Sequence, residues 1–306
     1  MNAKISVIVP VFNEEENISE LVKRLGKALG GRDYELIFVN DGSRDATLPL
    51  LINEKTRDER ITIVDLSRNF GHQAAMMTGL NYATGEFVIL MDGDLQDPPE
   101  VLPELIDKID SEGLDVVSAV RKKRKENLLL RFCYFLFYRL YKKAAYINVP
   151  LDSGDFCIMR KVVSNQITNL PESKKFIRGL RSWVGYNQGI FEYERGERFA
   201  GEPKYRLKTL IYLALDGLTS FSYLPLRMIT SMGFIVFSLG LFFALYTFLN
   251  RLFNPGIIEG YTTIEISILV LGGLQLLAIG IIGEYIAKIF DETKKRPISI
   301  VRKVYR

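Results

Sequence analysis

Hydrophobic and polar positions follow two different periods over the first part of the chain. Five short apolar runs, at residues 5–12, 34–41, 61–67, 85–92 and 114–121, predict buried strands. Between the first two runs, apolar residues recur at helical spacing behind an acidic first turn: Ile18, Leu21, Leu25 and Leu29. Strands that alternate with helices in this way predict βαβ units, so we expect an α/β fold with a mostly parallel sheet.

Two of the predicted strands end in acidic residues. Asp41 closes the second strand, and the fourth strand runs into Asp92, Asp94 and Asp97, with Gln96 among them. Such a cluster alone could be a solvated turn, because Asp, Gly and Pro are common turn formers. Ligands of open α/β sheets, however, bind at the carboxyl ends of strands. We therefore expect one site at this edge, with carboxylate oxygens that suit Mg²⁺ or Mn²⁺.

Beyond residue 120 the pattern changes to wide apolar faces with interspersed cationic residues. Residues 128–147 and 206–226 predict amphipathic helices that lie in a membrane interface, with a core helix of the domain as the alternative for 128–147. Residues 228–249 and 266–283 contain no charged side chain. These lengths predict two transmembrane helices, at about 228–250 and 264–289, rather than two buried helices of a soluble domain.

The composition favours a soluble domain with a short membrane part. Hydrophobic residues make up 48% of the 306 positions, and the mean hydropathy is +0.08, too polar for a chain made mostly of membrane spans. The predicted division is a domain at 1–205, an interface region at 206–226, membrane helices within 227–290 and a basic tail at 291–306. The excess of Lys and Arg in the tail predicts a cytoplasmic location for it, and two spans put the N-terminal domain on the same side. We expect a multi-pass protein of the cell inner membrane, with the N-terminal domain and both termini cytoplasmic and no nucleic-acid partner.

Six motifs resemble, in order, those of family-2 glycosyltransferases: VIVPVFNEEENI, FVNDGSRDAT, RNFGHQAAMMTGL, LMDGDLQDPPE, DSGDFCIMRK and RFAGEPKY. Within that family they are similar to the polyisoprenyl-phosphate glycosyltransferases, namely dolichol-phosphate mannose synthases and bactoprenol (undecaprenyl-phosphate) glucosyltransferases. The resemblance covers residues 4 to about 225, and two C-terminal spans fit one branch of the group. It implies a Rossmann-like domain of the GT-A type, a nucleotide-sugar donor, a divalent metal and a polyisoprenyl phosphate acceptor. UDP-glucose is the leading donor, by analogy with the bactoprenol branch.

The resemblance also implies a nucleotide-sugar pocket at the ends of the first, second and fourth strands. Its members would be Pro10, Phe12, Glu14, Val39, Asp41, Asp92 and Gly93. Asp41 would accept a hydrogen bond from the base and Glu14 from the ribose, although such residues also cap helices and form turns. Asp94 and Gln96 would reach the metal, Mg²⁺ or Mn²⁺, with Asp92 bridging the donor and the loop.

Catalytic roles would fall, on the same resemblance, to Asp94, Asp155 and Arg121. Asp155 would be a general base, a group that orients the sugar hydroxyls, or a partner of a cationic neighbour. A base is not required, because a phosphate monoester has a second pKa of about 6 and is mostly a dianion at pH 7. His72 is the only histidine of the chain, and we expect a structural or supporting role for it.

A dianionic acceptor near a carboxylate cluster requires cations. The candidates for the acceptor phosphate are Arg121, Arg131, Arg198 and Lys204. The guanidinium fork of Arg suits a phosphate, whereas an ordinary surface charge is the alternative for each of these residues. Pro203 departs from the family, which usually has Ser or Thr there, so we expect no hydrogen bond from that position to the phosphate.

The expected reaction is a single inverting, metal-dependent displacement on a nucleotide sugar. A processive polysaccharide synthase of the same fold is the main alternative, but the Q-x-x-R-W motif that such enzymes share lacks its Gln in RGLRSW, residues 178–183. A non-catalytic, membrane-anchored binding protein is the less favoured alternative. Small residues in the last predicted helix indicate close helix contacts and a homo-oligomer, with a tetramer as one expected size: Gly272, Gly273, Gly280 and Gly283.

Overall fold

The computed structural model describes residues 4–121, 153–172, 175–194, 224–253 and 260–306. These residues belong to two compact units. The first unit contains the described residues up to 194 together with residues 295–306, and the second contains the described residues between 224 and 294.

The first unit is built on an eight-stranded sheet within the described residues. Its strands are β1 (Ile5–Val11), β2 (Tyr34–Asn40), β3 (Ile61–Leu66), β4 (Phe87–Leu90), β5 (Val116–Arg121), β6 (Ser153–Arg160), β7 (Gln188–Tyr193) and β8 (Val301–Tyr305). The order across the sheet is β7-β5-β6-β4-β1-β2-β3-β8. Strands β4, β1, β2 and β3 run parallel, as do β5 and β7, whereas β6 and β8 are antiparallel to their neighbours. The predicted α/β fold with a mostly parallel sheet is confirmed, and the sheet is mixed at β6 and β8.

Helices follow the strands in the expected alternation. They are α1 (Ile18–Ala28), α2 (Thr47–Arg57), α3 (His72–Leu80), α4 (Leu102–Ser111, after a 3-10 turn at Pro99–Val101), α5 (Lys161–Asn169) and α6 (Ile177–Trp183). Helix α1 buries Ile18, Leu21 and Leu25, as its apolar spacing predicts. The central strand β1 is buried along its whole length, which explains its continuous apolar run.

Close packing of α3 on the sheet determines where the helix begins. A Cβ atom added at Gly79, near the end of α3, would lie 2.3 Å from Cγ2 of Ile8 on β1 and 3.1 Å from Cγ2 of Val39 on β2. The helix therefore crosses the middle of these strands at a distance that only glycine permits. Its first residue, His72, lies beside Asp92, which follows β4. The helix thus brings the only histidine of the chain to the acidic edge of the sheet.

The C-terminal residues form an eighth strand that the sequence pattern did not reveal. Within the segment expected to be a basic tail, Val301–Tyr305 pairs with β3 as the outermost strand of the sheet. Arg302 donates a hydrogen bond to the carbonyl of Ser67 over 2.6 Å, and its other terminal nitrogen lies 3.6 Å from the buried Asp65. Charged side chains are typical of an edge strand, so the basic character of this segment concealed the strand.

The second unit contains two long helices, α7 (Leu224–Phe253) and α8 (Tyr261–Thr293). Large apolar side chains such as Phe234, Phe242 and Leu276 are at least 70% exposed. One stretch among the described residues, Leu271–Thr293, is long and apolar enough to cross a membrane, and a shorter apolar stretch lies at Ile229–Gly240. The predicted interface helix at 128–147 lies outside the described residues, as do residues 206–223 of the second interface segment.

Gly79→Ala should destabilise the first unit, because the added methyl group would overlap Ile8. We expect a loss of about 1–3 kcal/mol and a lower unfolding temperature of the full chain in detergent. Gly26→Ala in α1 is the matched control, since its Cβ would lie 3.6 Å from the hydroxyl of Tyr34 in ordinary contact. An unchanged unfolding temperature for Gly79→Ala would show that α3 is not held against the sheet in this way.

Candidate active site

The acidic loop, residues 92–97 after β4, is packed tightly against the end of β1. A Cβ atom at Gly93 would lie 3.0 Å from Cγ1 of Val11 and 3.2 Å from the carbonyl oxygen of Pro10. Leu95 has a φ angle of 59°, in the left-handed region that branched residues rarely adopt, and its side chain is buried. Such strain persists only where the surroundings impose it, and it is typical of ligand sites.

Buried contacts at the end of the same loop connect it to β7. The hydroxyl of Tyr193 donates a hydrogen bond to Oδ1 of Asp97, and both side chains are buried. The ring of Tyr193 packs edge-on against Phe156 of β6, with ring centroids 5.5 Å apart. The loop is therefore held at both ends, by β1 at Gly93 and by β7 at Asp97.

His72 lies between two carboxylates. Its Nε2 is 3.3 Å from Oδ1 of Asp92 and 3.3 Å from Oδ2 of Asp155, a residue of β6. Asp155 in turn receives two hydrogen bonds from Arg178 of α6, Nε to Oδ1 over 2.8 Å and Nη2 to Oδ2 over 3.0 Å. Gln73 adds a third hydrogen bond, from Nε2 to Oδ2 of Asp155 over 3.1 Å.

These neighbours shift the pKa values of the two carboxylates in opposite directions. Burial raises the pKa of Asp92 to about 6, the charge of His72 opposes this shift, and Asp97, Asp155 and Asp94 add to it. Burial would also raise the pKa of Asp155, but the charges and hydrogen bonds of Arg178 and His72 outweigh it and hold that pKa well below its usual range. The pKa of Asp155 is thus lowered, whereas the pKa of Asp92 is raised.

Asp92 and Asp155 also shift the pKa of His72. Burial lowers the pKa of His72, but interaction with Asp155 and the charge of Asp92 outweigh burial and raise it. His72 is therefore stabilised as a cation between two carboxylates. Both carboxylates thus favour the protonated imidazole, and the supporting role expected for His72 stays a prediction.

Asp41 organises the loop that precedes α3. Its two carboxylate oxygens accept hydrogen bonds from the backbone N–H groups of Phe70, over 2.7 Å, and Gly71, over 2.9 Å. Burial raises the pKa of Asp41, and these two N–H groups oppose the shift. A Cβ atom at Gly42 would come within 2.6 Å of the carbonyl carbon of Arg68, so this turn requires glycine. The NDGS motif thus has a structural task beside its predicted contact with the base.

The other predicted pocket residues lie around the ends of β1 and β2. Pro10 and Val39 are buried and face each other in register across these two strands, and Phe12 follows β1. Glu14 accepts a hydrogen bond from Nδ2 of Asn17 over 2.6 Å, and its N–H donates to Oγ1 of Thr47 over 2.9 Å. Together with Asp41 and the acidic loop, these residues line one edge of the sheet.

Comparisons with known proteins agree with this geometry. Residues 6–168 match the family model described as Glycosyl transferase family 2, and residues 224–289 match the GtrB C-terminal hairpin. The chain belongs to glycosyl transferase family 2. It is 43% identical to the uncharacterized glycosyltransferase YkcC of Bacillus subtilis, over 98% of this chain and 94% of that protein. It is 40% identical to the bactoprenol glucosyl transferase of Shigella phage SfII, over 99% of both chains.

A solved structure supports the fold. Glucosyl-3-phosphoglycerate synthase from Mycobacterium tuberculosis matches with a TM-score of 0.52 at 20% identity, over 71% of this chain and 79% of that one. The sequence-based recognition of the family, and with it the conclusion that the chain is a glycosyltransferase, is confirmed. The relatives named as bactoprenol glucosyl transferases also fall in the branch that the motifs resemble.

The acidic edge of this glycosyltransferase has the ligand chemistry for a divalent cation. Oδ1 of Asp92 is closed to solvent and accepts no hydrogen bond from the described residues, although 29% of the side chain is exposed. Asp94 lies two residues further on, and one of its oxygens accepts the N–H of Gln96 over 3.2 Å. No three acidic, His or Cys side chains of the described part form a complete metal cage. Mg²⁺ and Mn²⁺ need few protein ligands when phosphate and water complete the shell, so these residues fit such an ion.

Some predicted site residues cannot be placed in the site. Arg121 ends β5 and pairs in register with Tyr193, but only its backbone is described. Arg131, Arg198 and Lys204 lie outside the described residues. Gln73 was not among the predicted site residues, and Arg178 entered only as part of the RGLRSW motif. The local sequence does not predict the contacts of these two residues with Asp155, because they lie 82 and 23 residues away from it along the chain.

Asp41→Asn should destabilise the protein while preserving the size of the side chain. An amide presents one acceptor oxygen, so its NH₂ group would face one of the two backbone N–H groups. We expect a loss of about 1–3 kcal/mol, measured as a lower unfolding temperature. Asp107→Asn is the control, because Asp107 forms an exposed ion pair with Arg32. Equal unfolding temperatures for the two variants would contradict the proposed role of Asp41.

Proposed function

We propose that this glycosyltransferase transfers glucose from UDP-glucose to bactoprenol phosphate, a membrane polyisoprenyl phosphate, and inverts the configuration of the sugar. The observation that carries the proposal is the similarity to bactoprenol glucosyl transferases, at 40% identity over nearly the whole chain. This similarity includes the C-terminal hairpin, so both the catalytic unit and the membrane helices support it.

The donor would bind at the carboxyl edge of the sheet. The residues proposed to hold the nucleotide sugar are Pro10, Phe12, Glu14, Val39, Asp41, Asp92 and Gly93. Asp94 and Gln96 would hold Mg²⁺ or Mn²⁺, which when bound neutralises the diphosphate and makes the nucleoside diphosphate a better leaving group. The rigid acidic loop would then place Asp92 against the donor.

The acceptor phosphate is the nucleophile in this proposal. One of its oxygens forms a bond to the anomeric carbon while the bond from that carbon to the diphosphate oxygen breaks, and the electron pair leaves with UDP. The phosphate is mostly a dianion at pH 7, so no proton has to be removed from it. The cations proposed to bind it are Arg121, Arg131, Arg198 and Lys204.

Membrane attachment would bring the enzyme to its lipid substrate. We propose that α7 and α8 cross the inner membrane as a hairpin, with the catalytic domain at residues 1–205 and both termini in the cytoplasm. The exposed apolar side chains of both helices support this, because an apolar surface of this extent requires a lipid or protein partner. Amphipathic segments at 128–147 and 206–226 would lie at the interface.

A homo-oligomer, with a tetramer as one expected size, is proposed to form through the membrane helices. Four glycines of α8 support this, because a Cβ added at any of them would meet no other atom within 4 Å: Gly272, Gly273, Gly280 and Gly283. Such glycines allow the helices of neighbouring copies to approach closely.

Asp94→Ala tests the proposed reaction. The purified full chain in detergent should form glucosyl polyisoprenyl phosphate from UDP-glucose, a short-chain polyisoprenyl phosphate and Mg²⁺ or Mn²⁺. Asp94→Ala should lower this rate at least ~100-fold, because loss of the metal removes several kcal/mol of transition-state stabilisation. Asp110→Ala, at an exposed position of α4, should retain the wild-type rate. Metal-independent transfer by Asp94→Ala at the wild-type rate, or no transfer by the wild type, would refute the proposal.

A further inference from the structure

Four charged side chains form one continuous chain at the acidic edge. Arg178 holds Asp155 through two hydrogen bonds, Asp155 lies 3.3 Å from Nε2 of His72, and the same nitrogen lies 3.3 Å from Asp92. Each member belongs to a different segment: α6, β6, α3 and the loop after β4. Basic and acidic side chains alternate along this series, and each lies within 3.3 Å of the next, so each restrains the position of its neighbour.

The geometry of Asp155 does not suit a general base. Its side chain is 4% exposed, and both of its oxygens accept hydrogen bonds from Arg178. The oxygen Oδ2 also accepts from Gln73 and faces His72. A base needs an oxygen within hydrogen-bond reach of the proton that it removes. The lone pairs of Asp155 are directed at protein donors instead.

Gln73 connects the same chain to the backbone. Its Oε1 accepts the N–H of Ile177, the first residue of α6, over 3.0 Å, while its Nε2 donates to Asp155. The start of α6 is therefore tied to the start of α3 through one side chain. This contact fixes the distance between Arg178 and His72, which lie on these two helices.

We infer that Asp155 is the buried anion of a positioning chain, in which Arg178, Gln73 and His72 hold Asp92 in place for the donor, and that Asp155 is not the proton acceptor of the reaction. The kinetic consequence of this inference rests on the proposed function. It agrees with the chemistry of that function, because a phosphate dianion attacks without losing a proton. Arg178, Gln73 and His72 are positioning residues that act through Asp92.

A double-mutant cycle between Arg178→Gln and Asp155→Asn separates the two roles of Asp155. If the chain positions Asp92, each single variant should lose ~10-fold to 100-fold in kcat/KM for UDP-glucose, the usual effect of losing a hydrogen bond to a charged group. The kcat/KM of the double variant should be no lower than that of the more impaired single variant, because both changes break the same series of contacts. If Asp155 is a base, Arg178→Gln leaves a more basic carboxylate and retains the rate.

The single histidine of the chain provides a second readout that needs no substrate. Full-length protein labelled with ¹⁵N-histidine gives the imidazole signals of His72 alone. These signals should shift in Arg178→Gln and in Asp155→Asn. Arg60→Gln is the matched control, since Arg60 holds Asp58 through two hydrogen bonds of 2.8 Å outside this site. The control should leave both the imidazole signals and kcat/KM unchanged.

Wild-type kcat/KM in Arg178→Gln, losses that add in the double variant, or imidazole signals that stay at their wild-type position in Asp155→Asn would overturn the inference. If Arg178→Gln does not fold, Asp155→Asn and the double variant, which carry no unpaired buried carboxylate at this position, give the decisive signals. If the wild type transfers no sugar to the lipid phosphate, the proposed function fails. The imidazole signals then still decide whether Arg178, Asp155 and His72 interact as inferred.

Discussion

The neutralisation of Asp155 is the interaction on which the candidate site depends. A carboxylate this deeply buried is costly unless it is paired, and removal of one partner from such a pair typically costs about 3–5 kcal/mol. Arg178 supplies two hydrogen bonds and His72 a second positive charge. To make these contacts, α3 and α6 have to begin at the same edge of the sheet. Compensation of one charge thus fixes the positions of two helices and a strand.

The same edge combines tightly held residues with a carboxylate oxygen that accepts no hydrogen bond from the described residues. Asp97 is tied to Tyr193, and Gly93 permits the close approach of the acidic loop to β1. Oδ1 of Asp92, by contrast, is buried and accepts no hydrogen bond from the described residues, although the imidazole of His72 lies 3.3 Å away. Buried carboxylate oxygens normally accept hydrogen bonds, so this atom is available to the donor and the divalent cation of the proposed function.

Much of the fold could be predicted because the relevant signals are local. Each of the five apolar runs corresponds to a strand, and the spacing of Ile18, Leu21 and Leu25 corresponds to the buried face of α1. The three remaining strands were not predicted. β8 resembles a solvated basic tail because it is an edge strand, and β6 was noted only as the motif that contains Asp155.

The site was predictable to the extent that its residues follow strands. Asp41, Asp92 and Asp94 could be assigned to one edge because parallel strands end together. The partners of Asp155 and Asp97 could not, because they are tertiary contacts: Gln73 and Asp155 are 82 residues apart, and Asp97 and Tyr193 are 96 apart. Folding creates these contacts through the packing of Gly79 on Ile8 and the antiparallel insertion of β6, and neither event has a signature in the local pattern.

The most direct test of the account is the chemical structure of the lipid product made by the wild-type chain. Mass spectrometry should find one hexose on each polyisoprenyl phosphate, and NMR of the anomeric proton should find a configuration opposite to that in the UDP-glucose donor. A product with the donor's configuration would contradict a single displacement by the phosphate oxygen. A product that carries a chain of several sugars would contradict a single transfer and favour a processive synthase.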